Sequence, residues 1–209
     1  MTEIAATIAT DLLTIKAVTL RPNDPFTWAS GIHSPIYTDN RLTISYPQVR
    51  QHIAAGIAAV IRAQYPEAQV IAGVATAGIP HAAWVAQLLD LPLIYVRSKP
   101  KDHGAGRQIE GVLKPGAKVV MLDDLISTGG SVLQAAKAVQ AAGGEVLAVG
   151  AVFSYELAAA TQNFAAANLP LFSLSNYTTL IKVARAANYI DDQELASLHA
   201  WREDPAAWA

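Results

Sequence analysis

Short apolar runs with no polar alternation, separated by segments of helical periodicity, constrain this chain more than any other feature. Val70 to Val74, Leu93 to Val96, Lys118 to Leu122 and Val146 to Phe153 read as strands, and Gln48 to Gln64, Ile79 to Leu89 and the Ala-rich stretch from Ser131 read as helices. A strand that is apolar on both faces is covered on both faces, which is the habit of a parallel sheet under two layers of helix. The alternation therefore predicts an α/β protein with a central, mostly parallel sheet flanked by helices. A further passage is expected from a helix near Glu156 to Ala166, a strand Leu171 to Leu174, and closing helices from Tyr177 and Asp191. A first helix is expected from Glu3 to Lys16. Residues 22 to 47 hold Pro22, Pro25, Pro35 and Pro47 with Gly31 between them, so this stretch is turn-rich and lies outside the main sheet, as part of a small cap. With 209 residues, one domain is the expectation, residues 18–46 contributing a hood to it.

Composition removes several classes of function. A net charge of −2 gives no general attraction to nucleic acid or to an anionic membrane, so any polyanion is held by a local site. The count of cysteines is 0, which excludes disulfides, thiolate catalysis and Cys-ligated metal. Charged residues make up 15% and hydrophobic ones 52%, a balance that leaves apolar surface for a subunit interface. No apolar run is long enough to span a bilayer and the first residues lack a basic stretch, so the expectation is a cytoplasmic protein.

Ligands of an open parallel sheet sit at the carboxyl ends of its strands. The segment Val119-Val120-Met121-Leu122-Asp123-Asp124-Leu125-Ile126-Ser127-Thr128-Gly129-Gly130-Ser131 runs from a buried strand through two carboxylates into small residues and then a helix. Backbone N–H groups at such a helix start suit a phosphate, and the paired carboxylates suit hydroxyls or a magnesium-bound ligand. One of the two could serve as a helix cap, but two adjacent carboxylates losing hydration call for a compensating group. Gly73 to Pro80 repeats the pattern of a strand ending in small residues before a helix, and is either a second phosphate cradle or a tight packing turn. Arg97 to Arg107 gathers Arg97, Lys99, Lys101, His103 and Arg107 into one glycine-containing loop, suited to closing over a polyphosphate or to facing solvent. Neither a Gly-x-x-x-x-Gly-Lys-Ser/Thr loop nor a Gly-x-Gly-x-x-Gly turn is present.

The stretch Val119 to Ser131 resembles the phosphoribosyl-diphosphate signature of type I phosphoribosyltransferases. Phe26 to Pro35 is similar to the substrate motif of the orotate phosphoribosyltransferase family, and Lys101-Asp102-His103-Gly104 to its catalytic loop. The resemblance implies the fold of that family and transfer of 5-phosphoribosyl from its 1-diphosphate to orotate, with Mg2+, in pyrimidine biosynthesis. It further implies catalytic roles for Lys101, His103, Asp123 and Asp124. Phosphoribosyl diphosphate would be bound by Arg97, Lys101, His103, Asp123, Asp124, Leu125, Ile126, Ser127, Thr128, Gly129, Gly130 and Ser131. Orotate would lie near Ser127 and the backbone of Phe26 to Ser34, with Ile36 and Tyr37 nearby. Magnesium would ride on substrate oxygens with no direct protein ligand, and the loop bearing Lys101 and His103 would reach into the partner of a homodimer with shared sites.

The chain departs from some members of that family. Ala29, Ala77 and Ser98 stand where others carry Lys, and Tyr155 falls near an Arg that grips the orotate carboxylate elsewhere, leaving that carboxylate without an assigned partner; His33 is one candidate. Two rival functions remain at this stage: a phosphoribosyltransferase for another nucleobase, and a non-catalytic sensor of phosphoribosyl diphosphate.

Overall fold

The computed structural model describes residues 3–27, 31, 33–99 and 108–208. Helix α1 (Glu3–Thr14) is followed by four short strands, β1 (Val18–Leu20), β2 (Phe26–Thr27), β3 (His33–Ser34) and β4 (Ile36–Thr38), and a 3-10 turn over Asn40–Ser45. The regular part then runs α2 (Pro47–Gln64), β5 (Val70–Val74), α3 (Gly78–Leu89), β6 (Leu93–Val96), β7 (Ile109–Glu110), β8 (Lys118–Ile126) and α4 (Gly130–Ala141). It closes with β9 (Glu145–Ser154), α5 (Ala158–Ala166), β10 (Leu171–Asn176), α6 (Tyr177–Ala186) and α7 (Asp192–Glu203).

The main sheet has the order β10-β9-β8-β5-β6-β7, parallel throughout except for the antiparallel edge strand β7. Strand periodicity sends alternate residues to opposite faces, and each face has its own core. Ile71, Val120, Leu122, Val152 and Leu174 pack with α1, α2, α3, α6 and α7, while Ala72, Val119, Met121, Val149 and Ala151 pack with α4 and α5. All five residues of β5 are buried, as its unbroken apolar run requires. Helix starts follow local chemistry: Pro47 occupies the first turn of α2, where its missing N–H costs nothing, and Asp191 with Glu194 forms a capping box on α7.

Residues 18–46 build two small antiparallel pairs, β1 with β4 and β2 with β3, outside the sheet, as the proline-rich stretch implied. One boundary differs in a way that matters. The strand expected to end at Leu122 continues to Ile126, because Asp123, Leu125 and Ile126 keep pairing with Ala151, Phe153 and Ser154 of β9. On the other side the last pair of β5 with β8 is Gly73 with Leu122. The last four residues of β8 thus overhang β5 with one edge unpaired by strand.

Candidate active site

β5 has β6 on one flank and β8 on the other, so consecutive units wind away from each other at the β5–β8 gap. A crevice opens outside the carboxyl ends of strands at such a switch point. Three segments meet there: the loop 75–77 after β5, the overhang of β8, and the 3-10 turn of the hood.

Gly78, the first residue of α3, is pressed against β8. A Cβ placed there would collide with the Leu122 carbonyl and lie 3.1 Å from Asp123 Cα, so only glycine lets α3 start this close. The hood closes in from another side, Asn40 donating from Nδ2 to the Asp124 carbonyl at 2.7 Å. Asn40 is itself held because Thr43 Oγ1 donates to its carbonyl at 2.5 Å, and Thr43 Oγ1 lies 3.5 Å from Nε2 of His81, a buried residue of α3.

Asp123 is buried and Asp124 half-buried, and the Asp124 N–H donates to Asp123 Oδ1 at 2.9 Å. Burial, and then the charge of Asp124, push the Asp123 carboxyl up to about 7. Burial also raises Asp124, against a downward pull from the Asp123 hydrogen bond and the charge of Arg41. This end of the sheet therefore holds carboxylates in need of donors or positive charge, which ribose hydroxyls and a cationic sugar carbon would provide. His81 behaves oppositely: desolvation lowers it to about 4, so it stays neutral near pH 7 and serves the packing of α3 on the hood.

Ser127, Thr128 and Gly129 turn the chain from β8 into α4. Gly129 has φ +80°, and a Cβ there would sit 2.5 Å from Phe164 Cε2, so both backbone and packing demand glycine. Asn163 of α5 donates to the Thr128 carbonyl at 2.9 Å and fixes the turn. No side chain caps α4, whereas α6 and α7 are capped by Asn176 and Asp191. The first N–H groups of α4, at Gly130, Ser131 and Val132, have no intrahelical acceptor and stand ready for an anion. Gly130 and Ser131 are exposed.

The structure thus brings Asp123, Asp124, Leu125, Ile126, Ser127, Thr128, Gly129, Gly130 and Ser131 into one continuous wall, with Leu125 and Ile126 as strand residues of it. Arg97 lies just past β6, its N–H donating to the Gln108 carbonyl at 2.9 Å and its carbonyl accepting from Gln108 Nε2 at 2.7 Å. Its guanidinium is 4.0 Å from Glu110. Lys101 and His103 lie outside the described residues. His33 is exposed, with Nδ1 3.4 Å from Thr27 Oγ1, and its carbonyl accepts from the Trp201 indole at 3.0 Å. Gly78 belongs to the turn Gly73 to Pro80, and its contact with β8 is the tight packing that is one of the two readings of that turn. The sequence did not single out Asn40, Thr43 and Asn163, although the polar run Asp39-Asn40-Arg41 directly after β4 was a usable signal for the first of these.

The sequence profile of the phosphoribosyl transferase domain matches residues 45–164, which include β5, β8 and the turn into α4. An orotate phosphoribosyltransferase of Lactiplantibacillus plantarum is 85% identical over 208 residues, covering 100% of this chain and 98% of that protein. The chain belongs to the orotate phosphoribosyltransferase family. Solved structures in the family share the fold. An orotate phosphoribosyltransferase of Aeropyrum pernix superposes with a TM-score of 0.72 at 26% identity, over 84% of this chain and 97% of that one. The UMP synthase of Leishmania donovani gives a TM-score of 0.82 at 29% identity over 95% of this chain, which spans only 42% of that longer protein. The expected α/β architecture and the resemblance drawn from three sequence motifs are both borne out.

Proposed function

We infer that the crevice between β5 and β8 transfers the 5-phosphoribosyl group of 5-phosphoribosyl 1-diphosphate to N1 of orotate. The products are orotidine 5′-phosphate and diphosphate, in pyrimidine biosynthesis. The observation that carries the residue roles is the overhang of β8: two carboxylates with raised proton affinity lead, within five residues, into a helix start with no side-chain cap.

In the reaction the bond from C1′ to the diphosphate oxygen breaks, N1 of orotate bonds to C1′ and gives up its proton, and positive charge develops on the sugar, as in glycoside hydrolysis. N–H groups from Ser127 to Ser131 bind the 5-phosphate. Asp123 and Asp124 accept from the ribose 2′ and 3′ hydroxyls, and their negative charge favours the cationic sugar. Arg97, Lys101 and His103 bind the diphosphate and assist its departure. Ser127, at the base of the phosphate turn, faces orotate.

Among the described residues no group of three or more His, Asp or Glu side chains converges as a metal would need. Asp123 and Asp124 are the carboxylates that would stand beside a magnesium ion carried on substrate oxygens. When bound, magnesium neutralises diphosphate charge. The protein acts as a homodimer whose loop with Lys101 and His103 serves the neighbouring site, in the cytoplasm, and residues 18–46 form the hood of a single domain. Among the described residues no helix is long and apolar enough to cross a membrane.

A spectrophotometric assay tests the activity: orotate absorbance falls only when phosphoribosyl diphosphate and magnesium are both present. Turnover of adenine, hypoxanthine or uracil in place of orotate would overturn the base assignment. Mixing inactive Lys101→Ala with inactive Asp124→Asn subunits tests the sharing of sites. Partial recovery through hybrid dimers is expected, and no recovery after verified subunit exchange refutes it.

A further inference from the structure

The base inferred above carries a ring carboxylate, and a carboxylate entering a partly dry cleft requires a cation to meet it. The position nearest the arginine used elsewhere in the family is Tyr155, 3% exposed and packed edge-on against Phe153 and Trp201, so no charge comes from there. Of the described cations around the crevice, most are committed. Arg202 Nη1 donates to Thr178 Oγ1 at 2.6 Å and lies 3.5 Å from Glu156. Arg21 lies over the Phe26 ring at 5.0 Å with Asp24 3.7 Å away. Arg97 is set aside for another reason: its Nη1 is buried 4.0 Å from Glu110 with no hydrogen-bond partner among the described residues, on the β6–β7 side, where the diphosphate is assigned.

Arg41 differs in three respects. Its Nε and Nη2 donate to the two oxygens of Asp39 at 2.6 and 2.9 Å, a forked pair that fixes the plane of the guanidinium. A guanidinium presents two edges to carboxylates, and Asp39 occupies the Nε edge, leaving the Nη1–Nη2 edge pointing away from it. The side chain is 64% exposed, so that edge is reachable. The third respect is place: the next residue towards the N-terminus, Asn40, is bonded to the Asp124 carbonyl at 2.7 Å, so this part of the hood carries Arg41 next to the acidic pair. Consistently, its charge acts on Asp124 and it senses Tyr37, the residue expected near the ring. An exposed pair two residues apart adds little stability, so folding alone does not account for this arrangement.

We propose that Arg41 receives the ring carboxylate of orotate through its free guanidinium edge, with Asp39 as the positioning residue that holds this edge toward the base. The assignment rests on orotate being the base. Asp39 pre-orients a side chain that would otherwise lose rotamer freedom on binding, and Arg41 gives the hood a reason to prefer orotate over bases without a carboxylate.

Orotidine 5′-phosphate and uridine 5′-phosphate differ only by the carboxylate, so titrating both into wild type and Arg41→Gln isolates the contact. The expected result is orotidine 5′-phosphate bound about 10- to 100-fold more weakly by Arg41→Gln while uridine 5′-phosphate changes by less than about 2-fold. Arg41→Lys, which keeps charge without the fork, falls between, as does Asp39→Asn. Unchanged binding of orotidine 5′-phosphate, or equal loss of both nucleotides, overturns the proposal. Failure of the reading on which it rests is seen separately, as absence of orotate turnover by the wild-type protein.

Discussion

The two sides of the crevice are built in opposite ways. The sheet side, residues 123 to 131, is one continuous stretch whose strand, turn and helix start follow each other in the chain and are packed from both faces of the sheet. The hood side, residues 18 to 46, has only two-residue and three-residue strands and is held in place by distant parts of the chain. Asn40 reaches Asp124, Trp201 of α7 donates to the His33 carbonyl, and Asn23 donates to Glu194 of α7 at 3.0 Å. The lesson concerns division of labour. On the proposed roles, a chemistry common to many bases sits on a locally encoded, over-determined segment, while most of the recognition of one base sits on a layer whose position is borrowed from α7 and from β8.

Changes on the sheet side carry the largest effects. Asp124→Asn removes a charge from beside the sugar without altering the strand, and kcat is expected to fall about 10²- to 10³-fold with the circular dichroism spectrum unchanged. Gly129→Ala must adopt φ +80° and displace the Phe164 ring, so thermal melting is expected to show a loss of about 2–3 kcal/mol. A hood residue with comparable effects would break the contrast between the two sides.

Asp123→Asn trades function for stability. An unfolded aspartate titrates near 4 and folded Asp123 at about 7, so the folded chain takes up a proton in that window and loses stability as pH rises through it. Relative to wild type the variant should gain stability between about pH 4 and pH 7, by roughly 1–2 kcal/mol as read from melting, and the gain should level off above 7. His81 has the reverse sign: its folded value of about 4 lies below the unfolded one, so its contribution is lost as pH falls from about 6.5 toward 4. Melting the His81→Asn variant alongside separates the two. The smallest effect is expected on the hood: Asn23→Ala removes one exposed tie to α7, costing about 0.5 kcal/mol or less in melting.

Much of the sheet side was legible in the sequence. Val70 to Val74 and Leu93 to Val96 are strands at the bounds their apolar runs imply, and the turn residues Ser127 to Gly129 lead into a helix as expected. The run of β8 through Asp123 to Ile126 was not, because two carboxylates argue locally against a buried strand, and only the ladder to β9 overrides them. The hood was legible as turn-rich and no further. Its ties join residues 84, 168 and 171 positions apart, and no periodicity or spacing carries such pairs. Trp201 illustrates the point: its place in α7 predicts a core side chain, which it is, at 0% exposure, but not that its indole N–H braces the His33 carbonyl of the hood.

The central claim is that the sheet side serves phosphoribosyl diphosphate, meeting orotate only through Ser127, while the hood serves orotate, and it is tested most directly by KM values for both substrates in two variants assayed together. Gly129→Ala disturbs the phosphate turn and the Phe164 ring packed on it, and Trp201→Phe keeps an aromatic ring while removing the N–H that holds His33. The account predicts that Gly129→Ala raises KM for phosphoribosyl diphosphate by about 10-fold or more and leaves that for orotate nearly unchanged, and that Trp201→Phe raises KM for orotate about 3- to 10-fold and leaves the other. Both constants rising together in both variants would contradict it.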